Sequence, residues 1–426
     1  MTFLIPAYAG LGNFIMATPM ILELKRRIPE ARIYLLTWPW YGTDQVFEAP
    51  VVEAGGSRGL RVEGRGAEAD STPVAGIFLL DSGASAWRKV LFFLRLRRWK
   101  FSAGFIPFDA CPPFVWWGFA LAGIRRIAAH SHENLGSRGG WTEKVPDVTH
   151  PVDVGSHESD IHLDLLDAYC RSEGIAVPDA RNYQTHMAAE GQERGHLARI
   201  SEQMRARCPR SLKETGLGGT PALLSPVLDK YGLSAGSYIV VQISAANARF
   251  KTPKLWPREN WAALIRLLEN DGETVVLPGD ENEAPLVDEF VAKHGFKKAV
   301  NIAGRTSVRE VSTVIKHAKL LVVHDSGLMH IGNAHGTPLV ALYGPTDWNF
   351  TMPKAPTSRI LRKNLPCQPC MARMAKTEQE ALRDCKIDVQ CMRDLSVEEV
   401  YGECVNEVEG SESKGVEGLE SRVEDL

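Results

Sequence analysis

Along the chain, short runs of consecutive apolar residues alternate with stretches in which apolar side chains recur every three or four positions. The first run, Phe3 to Ile5, ends in Pro6-Ala-Tyr-Ala-Gly10-Leu-Gly12-Asn13. A helical period follows through Phe14, Met16, Met20, Ile21, Leu24 and Ile28 and stops near Pro29. Arg32–Thr37 is the next strand, which completes a βαβ unit. Gly55 to Thr72 is rich in Gly, Arg and Glu with little apolar content, so it reads as a flexible loop. Gly76 to Leu80 predicts a third strand and Trp87 to Arg98 a basic amphipathic helix. Strands over Ala103 to Phe108 and Arg126 to Ala129 flank a helix over Phe114 to Ala122. His157 to Arg171 is a helix with its apolar face on Ile161, Leu163, Leu165, Leu166 and Tyr169.

Residues 187–236 break this rhythm, being polar and punctuated by Gly and Pro as a linker is. From Tyr238 it restarts. Strands are expected at Tyr238–Ile243, Thr274–Leu277, Ala299–Ile302, Leu320–His324 and Pro338–Tyr343. Between them lie helices at Trp261–Glu269, Glu283–His294, Val308–Ala318 and Leu328–Ala334. Strands alternating with helices imply parallel sheets with right-handed crossovers. The expected architecture is α/β, with two Rossmann-like domains whose parallel sheets face a central cleft. Its parts are a first domain over 1–186, the linker 187–236, a second domain over 237–365, a cysteine-bearing extension over 366–408 and an acidic disordered tail over 409–426.

Composition narrows the function classes. A chain of 426 residues that is 44% hydrophobic and 24% charged is an ordinary globular protein. The formal charge of -3 gives no global attraction to nucleic acid. Most of it belongs to the tail, so the body is near neutral. The N-terminus lacks the basic and apolar regions of a secretory signal, and the longest apolar stretch, Pro112–Ile124, is too short to span a bilayer. Eight cysteines in this length make no disulfide framework, and the expected location is the cytoplasm with reduced thiols.

In an open parallel sheet, ligands bind beyond the C-terminal ends of the strands, where helix N-termini present free N–H groups. Two loops qualify. Gly10-Leu-Gly12-Asn13 permits close backbone approach, but Met16 stands where a dinucleotide fingerprint has its third small residue. His324-Asp325-Ser326-Gly327-Leu328 runs from a strand straight into a helix. Asp325 is expected to cap that helix, leaving the amides of Ser326, Gly327 and Leu328 as an anion cradle.

Four linked motifs carry a family resemblance: Gly12-Asn13-x-x-Met16-Ala17-Thr18-Pro19, Lys254-Leu-Trp256-Pro257, Asp325-Ser-Gly-x-x-His330 and Tyr343-Gly-Pro-Thr346. In order and spacing the chain resembles glycosyltransferase family 9, the ADP-heptose:lipopolysaccharide heptosyltransferases and their relatives. The resemblance implies a GT-B fold, with the acceptor on the N-terminal domain and the nucleotide sugar on the C-terminal one. It also implies an inverting transfer that needs no cation. The chain contains no Asp-x-Asp to hold a bridging Mg²⁺, so Lys254 and the helix dipole would stabilise the leaving diphosphate. Ser244, Glu281, Asp325, Ser326, Gly327 and Leu328 are expected on the donor, with Glu281 resembling the family's acidic contact to the nucleoside. Gly10 and Gly12 are expected on the acceptor side.

The family commonly places Asp after the second glycine as general base, and here that residue is Asn13. An amide cannot accept the proton of a hydroxyl at neutral pH. Asp81, Asp109 and His330 are the alternatives considered, with Asn13 as an orienting group. Cys367-x2-Cys370-x14-Cys385-x5-Cys391 has the donor set of a structural zinc, although its second spacing is longer than usual. No cofactor is expected for catalysis itself. The expected partners are a nucleotide-sugar donor, ADP-heptose in the first instance, and a lipid-linked or glycan acceptor, with no nucleic acid. Trp87 to Lys100 has the basic and aromatic composition of a helix lying against the inner face of the cytoplasmic membrane. A nucleotide-sugar epimerase or hydrolase on the same fold, and a degenerate sugar-nucleotide binding protein, remain as alternative readings.

Overall fold

The computed structural model describes residues 1–8, 10–38, 43–47, 49–53, 61–63, 73–81, 83–107, 112–131, 147–151, 156–177, 221–244, 252–371 and 378–409. They divide between two compact units, one holding the described residues up to 177 and the other those from 221 onward. The acidic tail beyond 409, most of the polar linker and Asp109 lie outside the described residues.

In the first unit the strands are β1 (Thr2–Pro6), β2 (Arg32–Thr37), β3 (Val51–Glu53), β4 (Arg61–Glu63), β5 (Gly76–Leu79), β6 (Ala103–Ile106), β7 (Ile127–Ser131) and β8 (Val148–Pro151). The helices are α1 (Leu11–Arg27), α2 (Ala86–Leu96), α3 (Pro113–Leu121) and α4 (Glu158–Ser172). The strands form one sheet in the order β4-β3-β5-β2-β1-β6-β7-β8. Every pair is parallel except β3 and β4. β4 falls inside the segment expected to be loop; Val51, Val52 and Val62 are residues that strands favour, and they outweigh the Gly-rich flanks. The interior strands are apolar throughout because helices cover such a sheet on both faces. Stacked and edge-on rings of Tyr34, Phe78, Phe92, Phe93, Phe114 and Phe119 fill part of that core.

The second unit contains α5 (Pro221–Lys230), β9 (Tyr238–Val241), α6 (Arg258–Asn270), β10 (Thr274–Leu277), α7 (Ala284–His294), β11 (Ala299–Asn301), α8 (Val308–Lys316), β12 (Leu320–His324), α9 (Gly327–His335), β13 (Leu339–Tyr343), α10 (Trp348–Thr351), β14 (Ser358–Arg362), α11 (Glu378–Asp384), α12 (Gln390–Arg393) and α13 (Val397–Glu409). Its sheet is wholly parallel, in the order β11-β10-β9-β12-β13-β14. Residues 391–404, within the segment read as an extension, are part of this unit's core. Cys391, Met392, Leu395, Val400, Tyr401 and Cys404 are buried in the same cluster as Trp256, Trp261 and the strands β9, β10, β12 and β13.

Both sheets reverse direction beside their first strand. In the first unit β1 lies between β2 and β6; in the second, β9 lies between β10 and β12. At such a point the connections after adjacent strands leave to opposite faces, and a crevice opens at the C-terminal strand ends. The segments that follow β1, β9 and β12 carry three of the four sequence motifs, and the fourth starts at the last residue of β13.

Candidate active site

In the second unit, β12 ends in His324 and the chain passes through Asp325 and Ser326 into α9. Ser326, and not Asp325, is the N-cap residue, with extended φ and ψ of -150° and 172°. Its hydroxyl donates to Gln242 Oε1 at 2.6 Å, so it makes no capping bond to the helix. The expected Asp325 cap is therefore corrected. Asp325 turns instead toward Lys254, whose Nζ lies 3.8 Å from Asp325 Oδ2. The first turn of α9 thus begins without a side-chain cap, and its amides and the helix dipole converge where an anion is favoured.

Lys254 is positioned by its own segment. Thr252 Oγ1 accepts from the Lys254 amide at 3.3 Å, and the Trp256 amide donates to His324 Nε2 at 2.9 Å. Trp256 Nε1 donates to the Leu395 carbonyl at 2.8 Å, and the Trp256 and Trp261 rings meet edge to face. The motif Lys-Leu-Trp-Pro is thereby clamped between the end of β12 and the turn before α13. His324 is fully buried, which pushes its pKa down to about 4; the Lys254 charge adds to this, while a backbone hydrogen bond with Ser244 opposes it. It is a neutral imidazole near pH 7 and serves as a brace. Burial acts to lower the Lys254 ammonium, but Asp325 and Glu378 together hold it above the ordinary lysine value. Glu378, at the start of α11, lies 3.3 Å from Lys254 Nζ.

The loop after β10 completes this side. Asp280 Oδ1 accepts from the Glu283 amide, and Glu283 Oε2 accepts from the Asp280 amide, both at 2.9 Å. This is the reciprocal arrangement of a capping box. Glu283 is buried, which raises its carboxyl pKa; the Asp280 charge raises it further, while hydrogen bonds with the Asp280 backbone and the Ser244 side chain oppose the rise. Ser244, just beyond the end of β9, is also buried. Glu281 stays exposed on the outside of the turn. The Gly279-Asp-x-x-Glu283 pattern is the sequence signal that separates the two glutamates.

His330 is only 4% exposed within α9, so it forms part of the wall and does not stand at an open edge. The Tyr343-Gly-Pro-Thr motif is tied to the cysteine segment. Gln368 Nε2 donates to the Gly344 carbonyl at 2.7 Å, and the Met371 amide to the Pro345 carbonyl at 2.8 Å. Cys367, Cys370, Cys385 and Cys391 are free thiols. Burial pushes the Cys391 thiol up to about 11, and the other three cysteines add to the shift. Among the described residues, no group of three or more His, Cys, Asp or Glu side chains is placed to hold a metal ion. The donor set expected for zinc shares a neighbourhood without converging.

In the first unit Gly10 is the N-cap of α1 and, like Ser326, contributes no side-chain cap. Gly12 lies within the first turn of α1. Asn13 is exposed, and its Nδ2 donates to Glu158 Oε1 at 3.1 Å and Oε2 at 3.4 Å. Glu158 was not among the residues singled out from the sequence. Its signal is weak, an acidic residue one position after His157 at the start of α4. Asp81 is exposed, and its Oδ1 accepts from the Gly83 amide at 2.8 Å, which makes it a turn former ahead of α2. Asp109 lies outside the described residues.

Two Rossmann-like units with motif-bearing loops at their switch points define a GT-B fold. The fold matches that of solved glycosyltransferases. A structure of Escherichia coli ADP-heptose lipopolysaccharide heptosyltransferase II aligns with a TM-score of 0.63 at 18% identity, covering 97% of this chain and 100% of that one. A glycosyltransferase family 9 structure from Veillonella parvula aligns with a TM-score of 0.61 at 15% identity, covering 96% and 97%. In sequence, residues 221–381 match the model of glycosyltransferase family 9 (heptosyltransferase), and this segment holds three of the four motifs that carried the resemblance. Lipopolysaccharide heptosyltransferase 2 of Salmonella typhimurium is 36% identical over 118 residues, 27% of this chain and 34% of that protein. Lipopolysaccharide heptosyltransferase 1 of the same organism is 37% identical over 102 residues, 24% and 31%. The matched segment thus spans about a third of the length of these relatives.

Proposed function

We propose that the protein is an inverting glycosyltransferase that transfers heptose from ADP-heptose to a lipopolysaccharide core or a related surface glycan. The observation that carries this reading is the uncapped N-terminus of α9 with Lys254 fixed beside Asp325 at the switch point of the second sheet. As the anomeric carbon–oxygen bond breaks, its electron pair leaves with the diphosphate. An ammonium and oriented amides that are already in place stabilise that charge without reorganising. Asp325 and Glu378 keep the ammonium protonated and aimed until the donor arrives. Glu281, exposed on the β10 loop, is placed to accept hydrogen bonds from ribose hydroxyls, and the buried Glu283 braces that loop. Relatives and structural neighbours named as lipopolysaccharide heptosyltransferases support the choice of donor and acceptor.

The test is a transfer reaction with purified protein, ADP-heptose and heptose-deficient lipopolysaccharide cores, read by mass spectrometry. A gain of one heptose on the core with equimolar ADP release is the expected result. ADP release of equal rate without acceptor would favour a hydrolase instead. Donor binding with no product would favour a degenerate binding protein.

A lipid-linked acceptor calls for approach to a membrane surface, and α2 carries the features for it. On α2, Trp87 is 68% and Leu94 37% exposed, and Arg88 and Arg95 are exposed as well; on α3, Trp117 is 37% exposed. No described helix is long and apolar enough to cross a membrane, so this contact is peripheral.

A further inference from the structure

The amide at position 13 leaves the proposed transfer without an obvious proton acceptor, and the structure supplies one next to it. Glu158 opens α4, 145 positions along the chain from Asn13, and is only 4% exposed. A carboxylate in the first turn of a helix ordinarily gains from the dipole while facing water. This one is buried, and the exposed Asn13 donates a hydrogen bond to it. Only the amide nitrogen can face an anion, so Glu158 sets the orientation of Asn13, Nδ2 inward. A side chain at Gly10 would meet the amide oxygen at 3.8 Å, which places Oδ1 toward the open start of α1. One turn along α4, His162 Nε2 lies 3.6 Å from Glu158 Oε1, and the His130 ring of β7 is 5.9 Å beyond. The arrangement is an amide at the surface, a carboxylate behind it and two imidazoles behind that.

We propose that Glu158 is the general base for the acceptor hydroxyl, and that Asn13 is the positioning residue that presents the hydroxyl to it. The proposal rests on the transferase reading above. The hydroxyl oxygen forms the new bond to the anomeric carbon, its proton passes to a Glu158 carboxylate oxygen, and the bond to the diphosphate breaks with its electron pair. Net charge is conserved, since the proton neutralises the carboxylate while the diphosphate gains one negative charge. The acid that the resemblance places after the second glycine is thus supplied here from α4, one hydrogen bond away from Asn13.

Exchange is therefore the test, with ADP-heptose and the truncated lipopolysaccharide core as substrates. Glu158→Gln is expected to lower kcat at least about 100-fold with the donor KM within about 3-fold, the scale of general-base removal. The exchanged pair Asn13→Asp with Glu158→Gln restores one acid and one amide at the same contact. It is expected to recover to within about 10-fold of the wild-type kcat. A purely structural role for Glu158 would survive Glu158→Gln, whose amide oxygen still accepts from Asn13 Nδ2. Wild-type turnover that survives Glu158→Gln overturns the proposal alone, as does an exchanged pair that is inactive or unfolded. Absence of transfer by the wild-type protein overturns the transferase reading and this proposal with it.

Discussion

The loops that open α1 and α9 both lie beside the switch point of their sheet, one after β1 and the other after β12, yet they are held very differently. Around α9, Lys254, Trp256, His324, Asp325, Ser326 and Gln242 are cross-tied by ion pairs and short hydrogen bonds to buried groups. Around α1, the side-chain tie recorded between Asn13 and the rest of the unit is its contact with Glu158. The first arrangement suits a charge that must be met by fixed dipoles, because preorganisation is what makes those dipoles effective. The second suits a proton transfer, which needs one acceptor within reach and little else. The diphosphate is the same in all ADP-linked sugars, whereas acceptors differ, so the acceptor-side loop is the one under less constraint.

The largest effect should come from the tied side. Lys254→Ala removes the only cation placed at the α9 N-terminus by the described ion pairs and leaves Asp325 and Glu378 facing each other. A loss of about 10²–10³ in kcat is expected. Lys254→Arg should restore little, since the guanidinium is not a point charge of the same shape. A steady-state assay of both variants checks this.

Next is pH. The folded pKa of His324 is near 4 and its ordinary value is 6.5. Between these values the unfolded chain binds a proton that the folded chain does not, so stability falls as pH is lowered through that window. The two values imply a contribution of roughly 2–4 kcal/mol above pH 6.5. In His324→Gln, which keeps a possible acceptor for the Trp256 amide, urea melts at pH 4.5 and 7 should converge relative to wild type.

A smaller effect concerns the surface of the first unit. Trp87→Ser with Arg88→Glu and Arg95→Glu should weaken cosedimentation with vesicles containing anionic lipid by at least about thirtyfold, on the scale of about 1 kcal/mol per basic residue. Turnover on a soluble acceptor fragment should be unchanged. Arg97 is left alone because its Nε donates to the Leu121 carbonyl at 2.8 Å, so its loss would disturb packing. The smallest change is Lys363→Ala. Its pairing with Glu399 is exposed, and the melting curve should move by less than about 1 kcal/mol.

Periodicity located the strands of both sheets well where they are interior and apolar. Arg32–Thr37, Thr274–Leu277 and Leu320–His324 coincide with the observed strands. It missed the edge strands β4, β8 and β14 and the three-residue interior strand β3, which are too short or too one-sided to leave a hydrophobic signal, and it placed no helix over Val397–Glu409. That helix buries Val400, Tyr401 and Cys404 against elements far away in sequence, so its role is not legible locally. In the site, Lys254, Asp325 and Ser326 were readable because the motif runs straight from strand to helix. The N-cap was misassigned by one residue because Ser326 spends its hydroxyl on Gln242, a partner 84 positions away. Glu378 and Glu158 were missed for the same reason, since each acts through a contact between distant parts of the chain.

The proposed function depends above all on a diphosphate held jointly by Lys254 and the α9 N-terminus. Isothermal titration of wild type and Lys254→Ala with ADP and with adenosine tests it most directly. ADP is expected to bind the variant at least about tenfold more weakly, about 1.4 kcal/mol, while adenosine binding is unchanged. Equal affinity of the two proteins for ADP would contradict it.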